Sequence, residues 1–92
     1  MVEKKKNKVK EKRQNWYFTF GSGQAHDGCY IRFFGTCEET RKKMFASFDN
    51  KWSMQYSQHQ WEHPSKRSIE YNSLDPKTKP TMAEVWNWKE IN

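Results

Sequence analysis

Ninety-two residues are enough for one small domain, and a chain of this length buries only a modest fraction of its surface. Hydrophobic residues make up only 34% of the chain, but aromatic residues reach 16%, so we expect a small core built mainly from rings. No apolar run is long enough to cross a membrane and no signal peptide is visible, which excludes a membrane-spanning protein and predicts a cytoplasmic one.

The positive charge is concentrated at the N-terminus. The formal net charge is +6, but most of it falls in residues 1–14, and residues 15–92 are nearly balanced. The bases of this segment are Lys4, Lys5, Lys6, Lys8, Lys10, Lys12 and Arg13. We predict a disordered basic tail at 1–14, which either is merely solvated or is an arm that binds nucleic acid or an acidic partner. Residues 15–92 are predicted to form a single domain.

Two strands are predicted first, because aromatic and β-branched residues alternate with period two at 15–20 and 29–34. Residues 21–28, which contain three glycines, are predicted to be a mobile hairpin loop. The second strand carries aromatic residues on both faces, so its sheet is either covered on both sides or waits for a partner. One of these faces holds Tyr30, Arg32 and Phe34.

A helix is predicted over 37–48, because Thr36 and Glu39 have the spacing of a capping box. Its apolar stripe is predicted to contain Cys37, Arg41, Met44, Phe45 and Phe48. A third strand is predicted at 52–56, with Trp52, Met54 and Tyr56 on one face.

The C-terminal part is predicted to cover the second face of the sheet. Ser57 and Gln60 form a second capping-box pattern, so residues 58–62 are read as one helical turn that plants Trp61 on the core. Residues 68–71 are read as a short strand. Thr81 and Glu84 form a third capping-box pattern, which predicts a short terminal helix. The predicted fold class is therefore α+β. It has a three-stranded sheet of order 2-1-3 packed on one helix in a core of 15–62, plus an extension, 63–92.

Sites for chemistry are weakly indicated. His26, Cys29, Cys37, His59 and His63 are zinc-ligand types, but paired cysteine spacing is missing. Cys37 at a helix N-terminus has the setting of an activated thiol, although nothing in the sequence pairs it with a histidine. The two cysteines are too few for a disulfide framework, so we expect free thiols in packing positions and no metal.

Nucleic-acid binding is indicated by Tyr30, Arg32 and Phe34, since rings stack on bases and a guanidinium neutralises phosphate. The alternative is that these rings form a second half of the core under the C-terminal helix. We favour this alternative, because the three tryptophans of the extension need a surface on which to dock.

Residues 15–61 resemble small uncharacterised proteins of phages and mobile elements of Gram-positive bacteria. The resemblance rests on segments 16–24, Gly35-Thr36 with 40–45, and 52–56 ahead of Ser57 and Trp61. It covers about half of the chain and includes no known catalytic motif. Short proteins from this setting often counter host defences, and anti-CRISPR proteins are among them, so the resemblance implies an anti-defence role in a bacterial host.

We therefore predict a non-enzymatic binding protein, without a cofactor, that inhibits a host defence nuclease or nucleoprotein complex. The predicted contact residues are Tyr30, Arg32, Phe34 and the bases of the tail. The alternative is a small nucleic-acid-binding accessory protein that uses the same residues. A small enzyme or nucleotide-binding protein that uses the loop 21–28 is the third reading. The sequence leaves open whether the chain is a monomer or a small homo-oligomer.

Overall fold

The computed structural model describes residues 12–91, which form a sheet with helices on both faces. The strands are β1 (Gln14–Thr19), β2 (Cys29–Gly35), β3 (Met54–Ser57) and β4 (Lys89–Glu90). The helices are α1 (Cys37–Phe48), α2 (Gln58–Glu62), α3 (Lys66–Tyr71) and α4 (Met82–Trp86), with a 3-10 turn at Pro76–Thr78. No described helix is both long and apolar enough to cross a membrane. Most of the predicted basic tail lies outside the described residues, so its disorder stays a prediction.

The sheet has the strand order β3-β1-β2-β4. The central strand β1 is antiparallel to both β2 and β3, so the first three strands are arranged in the predicted order. The α+β class is confirmed. The predicted three-stranded sheet is wrong, because β4 adds a fourth strand parallel to β2. Its two residues offered too short a pattern to be read as a strand.

Helix α1 covers one face of the sheet, with the bounds that the capping box predicts. The core on this face is a buried cluster of Phe18, Phe20 and Met44. Side chains from neighbouring elements pack around it: Trp16, Ile31, Phe33, Phe48, Trp52 and Ile91. The alternation predicted for the first two strands is thereby confirmed, since the partners paired across β1 and β2 share this face.

The predicted apolar stripe of α1 is partly wrong. Thr40 is fully buried, whereas Phe45 is 48% exposed. The hydroxyl of Thr40 donates to the carbonyl oxygens of Thr36 and Cys37, each at 3.0 Å. Because its polar atom is satisfied within the helix, the side chain of Thr40 can be buried without the desolvation cost of an unpaired hydroxyl.

The third strand begins later than predicted. Trp52 precedes β3, and its ring lies edge-on to Phe18 on the α1 face, with 5.2 Å between centroids. Tyr56 pairs with Tyr17 and lies on the opposite face. The prediction that Trp52 and Tyr56 share a face is therefore wrong, because the chain between Trp52 and Met54 is not part of the pleated strand.

The opposite face is covered by residues after β3, as the sequence predicts. Helices α2 and α4 begin at the capping boxes of Ser57 and Thr81. The predicted strand at 68–71 is wrong, because these residues belong to helix α3. The side chain of Ser65 caps α3 by accepting a hydrogen bond from the backbone N–H of Ser68 at 3.1 Å, and Ile69 is its buried residue.

Candidate interaction surface

An aromatic layer lies between the sheet and the C-terminal helices. Its centre is Trp61, which is only 3% exposed and stacks on Tyr17 at 4.5 Å with the two rings almost parallel. The rings of Tyr30, Tyr56 and Trp88 also lie within 4.8–5.9 Å of Trp61. This layer is a second core beneath the C-terminal segment, so the favoured interpretation of the sequence is confirmed for Tyr30.

The aromatic layer changes the acidity of its tyrosines. Burial raises the pKa of Tyr17, Tyr30 and Tyr56, because a tyrosinate loses more hydration energy than the neutral phenol when water is removed. For Tyr17 and Tyr30, the nearby guanidinium of Arg32 opposes this effect without reversing it. These three phenols are therefore structural groups that favour the neutral form.

The predicted binding residues of β2 have different environments. Tyr30 is half-buried in the aromatic layer, so its ring is not free to stack on a ligand. The side chain of Arg32 is about half exposed, and its Nη2 lies 3.8 Å from Oε2 of Glu90. Phe34 is 60% exposed. All three are placed on one face, as predicted, but only Arg32 and Phe34 are accessible.

Phe34 lines a groove of about 290 Å³ at the end of the sheet where β1 begins. We call this site the Phe34 groove. It is lined by Lys12, Arg13, Gln14, Phe34, Gln58, His59 and Glu62. An exposed ring, two cations, an imidazole and one carboxylate thus meet in one depression. Such a site can cover an apolar group and pair with negative charge around it.

Helix α2 forms one wall of the Phe34 groove because two glutamines tie it to β1. The backbone N–H of Asn15 donates to Oε1 of Gln58, and the backbone N–H of Gln58 donates to Oε1 of Gln14, both at 3.2 Å. Docking of Trp61 on Tyr17 holds the other side of this single turn. Gln58 and His59 were not predicted as site residues, although the capping box and the docking tryptophan were the signals that could have placed them.

The basic segment reaches the domain at the same groove. Of its predicted contact residues, Lys12 and Arg13 line the groove, whereas Lys4, Lys5, Lys6, Lys8 and Lys10 lie outside the described residues. Arg13 forms an exposed ion pair with Glu39, with 2.9 Å between Nη2 and Oε2. The backbone N–H of Thr36 and then Arg13 lower the pKa of Glu39, since both stabilise the carboxylate. Glu39 thus contacts both the start of α1 and the root of the basic segment.

The glycine-rich loop is a series of hydrogen-bonded turns. The backbone N–H groups of Gln24, Asp27 and Cys29 donate to carbonyl oxygens three residues earlier, each at 3.0 Å. The ring of His26 lies edge-on between Phe20 and Phe48, at 5.2 and 5.4 Å. These three amides are used inside the loop, so they do not converge on a phosphate as the amides of a phosphate-binding loop do.

The thiols and histidines are dispersed. Among residues 12–91, no three of the His, Cys, Asp and Glu side chains are close enough to hold a metal ion. Sγ of Cys37 accepts a hydrogen bond from Nε2 of Gln55 at 3.3 Å, while His26 packs at the far end of the same helix. His59 and His63 stack on each other at 4.3 Å on the other side of the sheet. Neither arrangement pairs a nucleophile with a base.

No protein-family model matches the chain, and comparisons with curated proteins and with solved structures found no match.

Proposed function

We propose that this protein is a non-enzymatic binding protein of phage or mobile-element type that inhibits a host defence nuclease or its nucleoprotein complex in the bacterial cytoplasm. The contact surface is the Phe34 groove together with the basic segment of residues 1–13. The observation that supports this surface is the exposure of Phe34, since other rings on its face of the sheet are packed in the aromatic layer.

The chemistry of the groove suits a macromolecular partner. An exposed ring gains free energy when a partner removes it from water, and central aromatic side chains dominate many protein interfaces. Lys12 and Arg13 lie beside the ring, and the five lysines before them add long-range attraction. Charges at the rim of an interface mainly accelerate association, whereas the buried ring slows dissociation.

An interference assay tests this function. The chain is expressed in Gram-positive hosts that carry active CRISPR systems, and the transformation efficiency of a targeted plasmid is measured against a non-targeted one. We expect expression to restore transformation, and Phe34→Ala to abolish most of the effect. Phe45→Ala is the matched control, because Phe45 is an exposed ring on α1, away from the groove. Full restoration by Phe34→Ala, with loss in Phe45→Ala, would exclude the Phe34 groove as the contact surface.

Nucleic-acid binding is the second candidate function, favoured by the same groove. Lys12 and Arg13 can neutralise phosphates while a base stacks on Phe34. Fluorescence polarisation with labelled single- and double-stranded oligonucleotides over a salt series distinguishes nucleic-acid binding from inhibition directed at a protein. A nucleic-acid binder has an affinity that falls steeply with salt, and Arg32→Ala weakens it. An inhibitor directed at a protein binds its purified target with nucleic acid removed.

A further inference from the structure

The outer edge of β2 is only partly covered. Strand β4 pairs with Cys29 and Tyr30 and no further. Directly after β4, the backbone N–H of Ile91 donates to the carbonyl oxygen of Tyr30, at 2.8 Å. The rest of this edge, from Arg32 to Gly35, has no strand partner within residues 12–91.

The direction of the backbone groups on this edge follows from the two-residue period of a strand. The carbonyl oxygens of Gly28 and Tyr30 accept hydrogen bonds from Lys89 and Ile91, so these groups point away from β1. The backbone groups of Arg32 and Phe34 point the same way. By the same alternation, the backbone groups of Phe33 point toward β1, where its partner in the register is Trp16. Arg32 and Phe34 therefore present N–H and C=O groups to a further strand.

The charges beside this open edge indicate which kind of segment would bind there. Arg32 lies 3.8 Å from Glu90 and Arg13 lies 2.9 Å from Glu39, but both are exposed ion pairs, which contribute little. Lys12 and Arg13 line the groove that adjoins Phe34 together with Glu62. These cations and carboxylates balance, and residues 1–11 add five lysines against two glutamates, so the charge beside the edge is net positive. A second copy of the chain would bring two basic segments together, which is unfavourable. Acidic side chains on an added strand would instead pair with them. The other edge of the sheet, β3, carries no charged residue and enters α2 directly.

We propose that the open edge of β2 binds an extended, acidic segment of the partner protein by strand addition. The segment pairs with the backbone of Arg32 and Phe34 and continues the row that β4 begins. Its acidic side chains meet Arg32, Lys12 and Arg13, and its apolar side chains cover the ring of Phe34. Main-chain hydrogen bonds supply affinity in this mode, and side-chain contacts supply specificity. The inference rests on the proposed function and names the chemistry of the partner.

The test uses the full chain labelled with ¹⁵N and two capped peptides with alternating valine and charged residues, one with glutamate and one with lysine. Amide exchange is first measured without peptide. We expect the amide of Phe34 to exchange fast and that of Phe33 to be protected. The glutamate peptide is then expected to shift and protect the amides of Arg32 and Phe34, and the lysine peptide to have no effect.

Two substitutions of Phe34 distinguish the contribution of its backbone N–H group to binding from the contribution of its ring. Phe34→Ala removes the ring and keeps the N–H group, whereas Phe34→Pro removes both. We expect the proline variant to bind the glutamate peptide about fivefold more weakly than the alanine variant, as expected for one lost hydrogen bond. If the proline variant does not fold, Arg32→Glu tests the inference in its place. This variant is expected to reverse the preference between the two peptides.

Several results would overturn the inference. They are protection of the Phe34 amide in the free chain, shifts confined to β3 or α1, equal binding of both peptides, and no shift with either peptide. A concentration-dependent dimer through β2, or an oligonucleotide that alone protects these amides, would overturn it too. Because this test contains no defence protein, its failure leaves the interference assay unaffected, and inhibition without strand addition remains a distinguishable result.

Discussion

At the scale of single residues, Trp61 has the greatest influence on the fold. It belongs to a helix of only five residues, which has little stability of its own. Its ring nevertheless contacts Tyr17 and Tyr30 of the sheet and Trp88 of the C-terminal segment. Trp61 therefore joins the sheet to the extension, and its packing holds α2 in place beside Phe34.

Replacement of Trp61 by alanine is expected to lower the free energy of unfolding by about 3–5 kcal/mol, because a large cavity is left in the aromatic layer. The matched control is Trp86→Ala, which removes a side chain that is 38% exposed and is expected to cost about 1 kcal/mol or less. Urea unfolding followed by far-ultraviolet circular dichroism measures both. Equal losses in the two variants would contradict the central position of Trp61.

At the scale of elements, helix starts were the most predictable feature. Three capping boxes, at Thr36, Ser57 and Thr81, are all present with both reciprocal hydrogen bonds. A cap is a local pattern of side-chain and backbone groups, so it is readable from a few residues. The cap of α3 at Ser65 lacks the acidic or amide partner three residues later, and that helix was missed.

Thr81→Ala tests the cap of α4. We expect it to lower the free energy of unfolding by about 1 kcal/mol, because the backbone N–H of Glu84 loses its side-chain acceptor. Ser47→Ala on the exposed surface of α1 is the control, and it is expected to be neutral or slightly stabilising since alanine favours helices. The midpoints of thermal unfolding of the two variants are compared. An unchanged midpoint for Thr81→Ala would contradict a stabilising role of this cap.

What the sequence could not predict depends on contacts between distant segments. Strand β4 exists because its backbone meets β2, which no local pattern of two residues encodes. The burial of Tyr30 in a second core was the favoured interpretation of the sequence, but the exposure of Phe34 on the same face depends on where the extension docks. In the same way, His59 belongs to the Phe34 groove only because α2 is tied to β1.

At the scale of the whole molecule, two cores share one thin sheet. The α1 face is closed by aliphatic and aromatic side chains around Phe18, and the other face by the aromatic layer around Trp61. Since β1 contributes Phe18 to one core and Tyr17 to the other, loosening of either core reaches β1 directly. We expect the described domain to unfold as one cooperative unit.

The raised pKa values of the tyrosines in the aromatic layer predict a loss of stability at alkaline pH. Burial raises the pKa of Tyr56 in the folded chain, so the folded state keeps its phenol proton longer than the unfolded state. This contribution is fully present below the ordinary tyrosine pKa of about 10 and is lost as pH rises through the folded pKa. Urea unfolding from pH 8 to pH 11 is therefore expected to show a smaller decline for Tyr56→Phe than for the natural chain. An identical decline in both would contradict this assignment.

The pairing of Lys89 with Cys29 has a consequence for synthesis on the ribosome. The hairpin of β1 and β2 and helix α1 are complete early, so most of the α1 face can form while later residues are still in the exit tunnel, and Ile91 is added to it last. The second face must then wait for α2, and β4 can add to it only after α4 has emerged. During that interval, Tyr17, Tyr30 and the whole outer edge of β2 are exposed on the nascent chain. We expect this period to be when the protein depends most on chaperones.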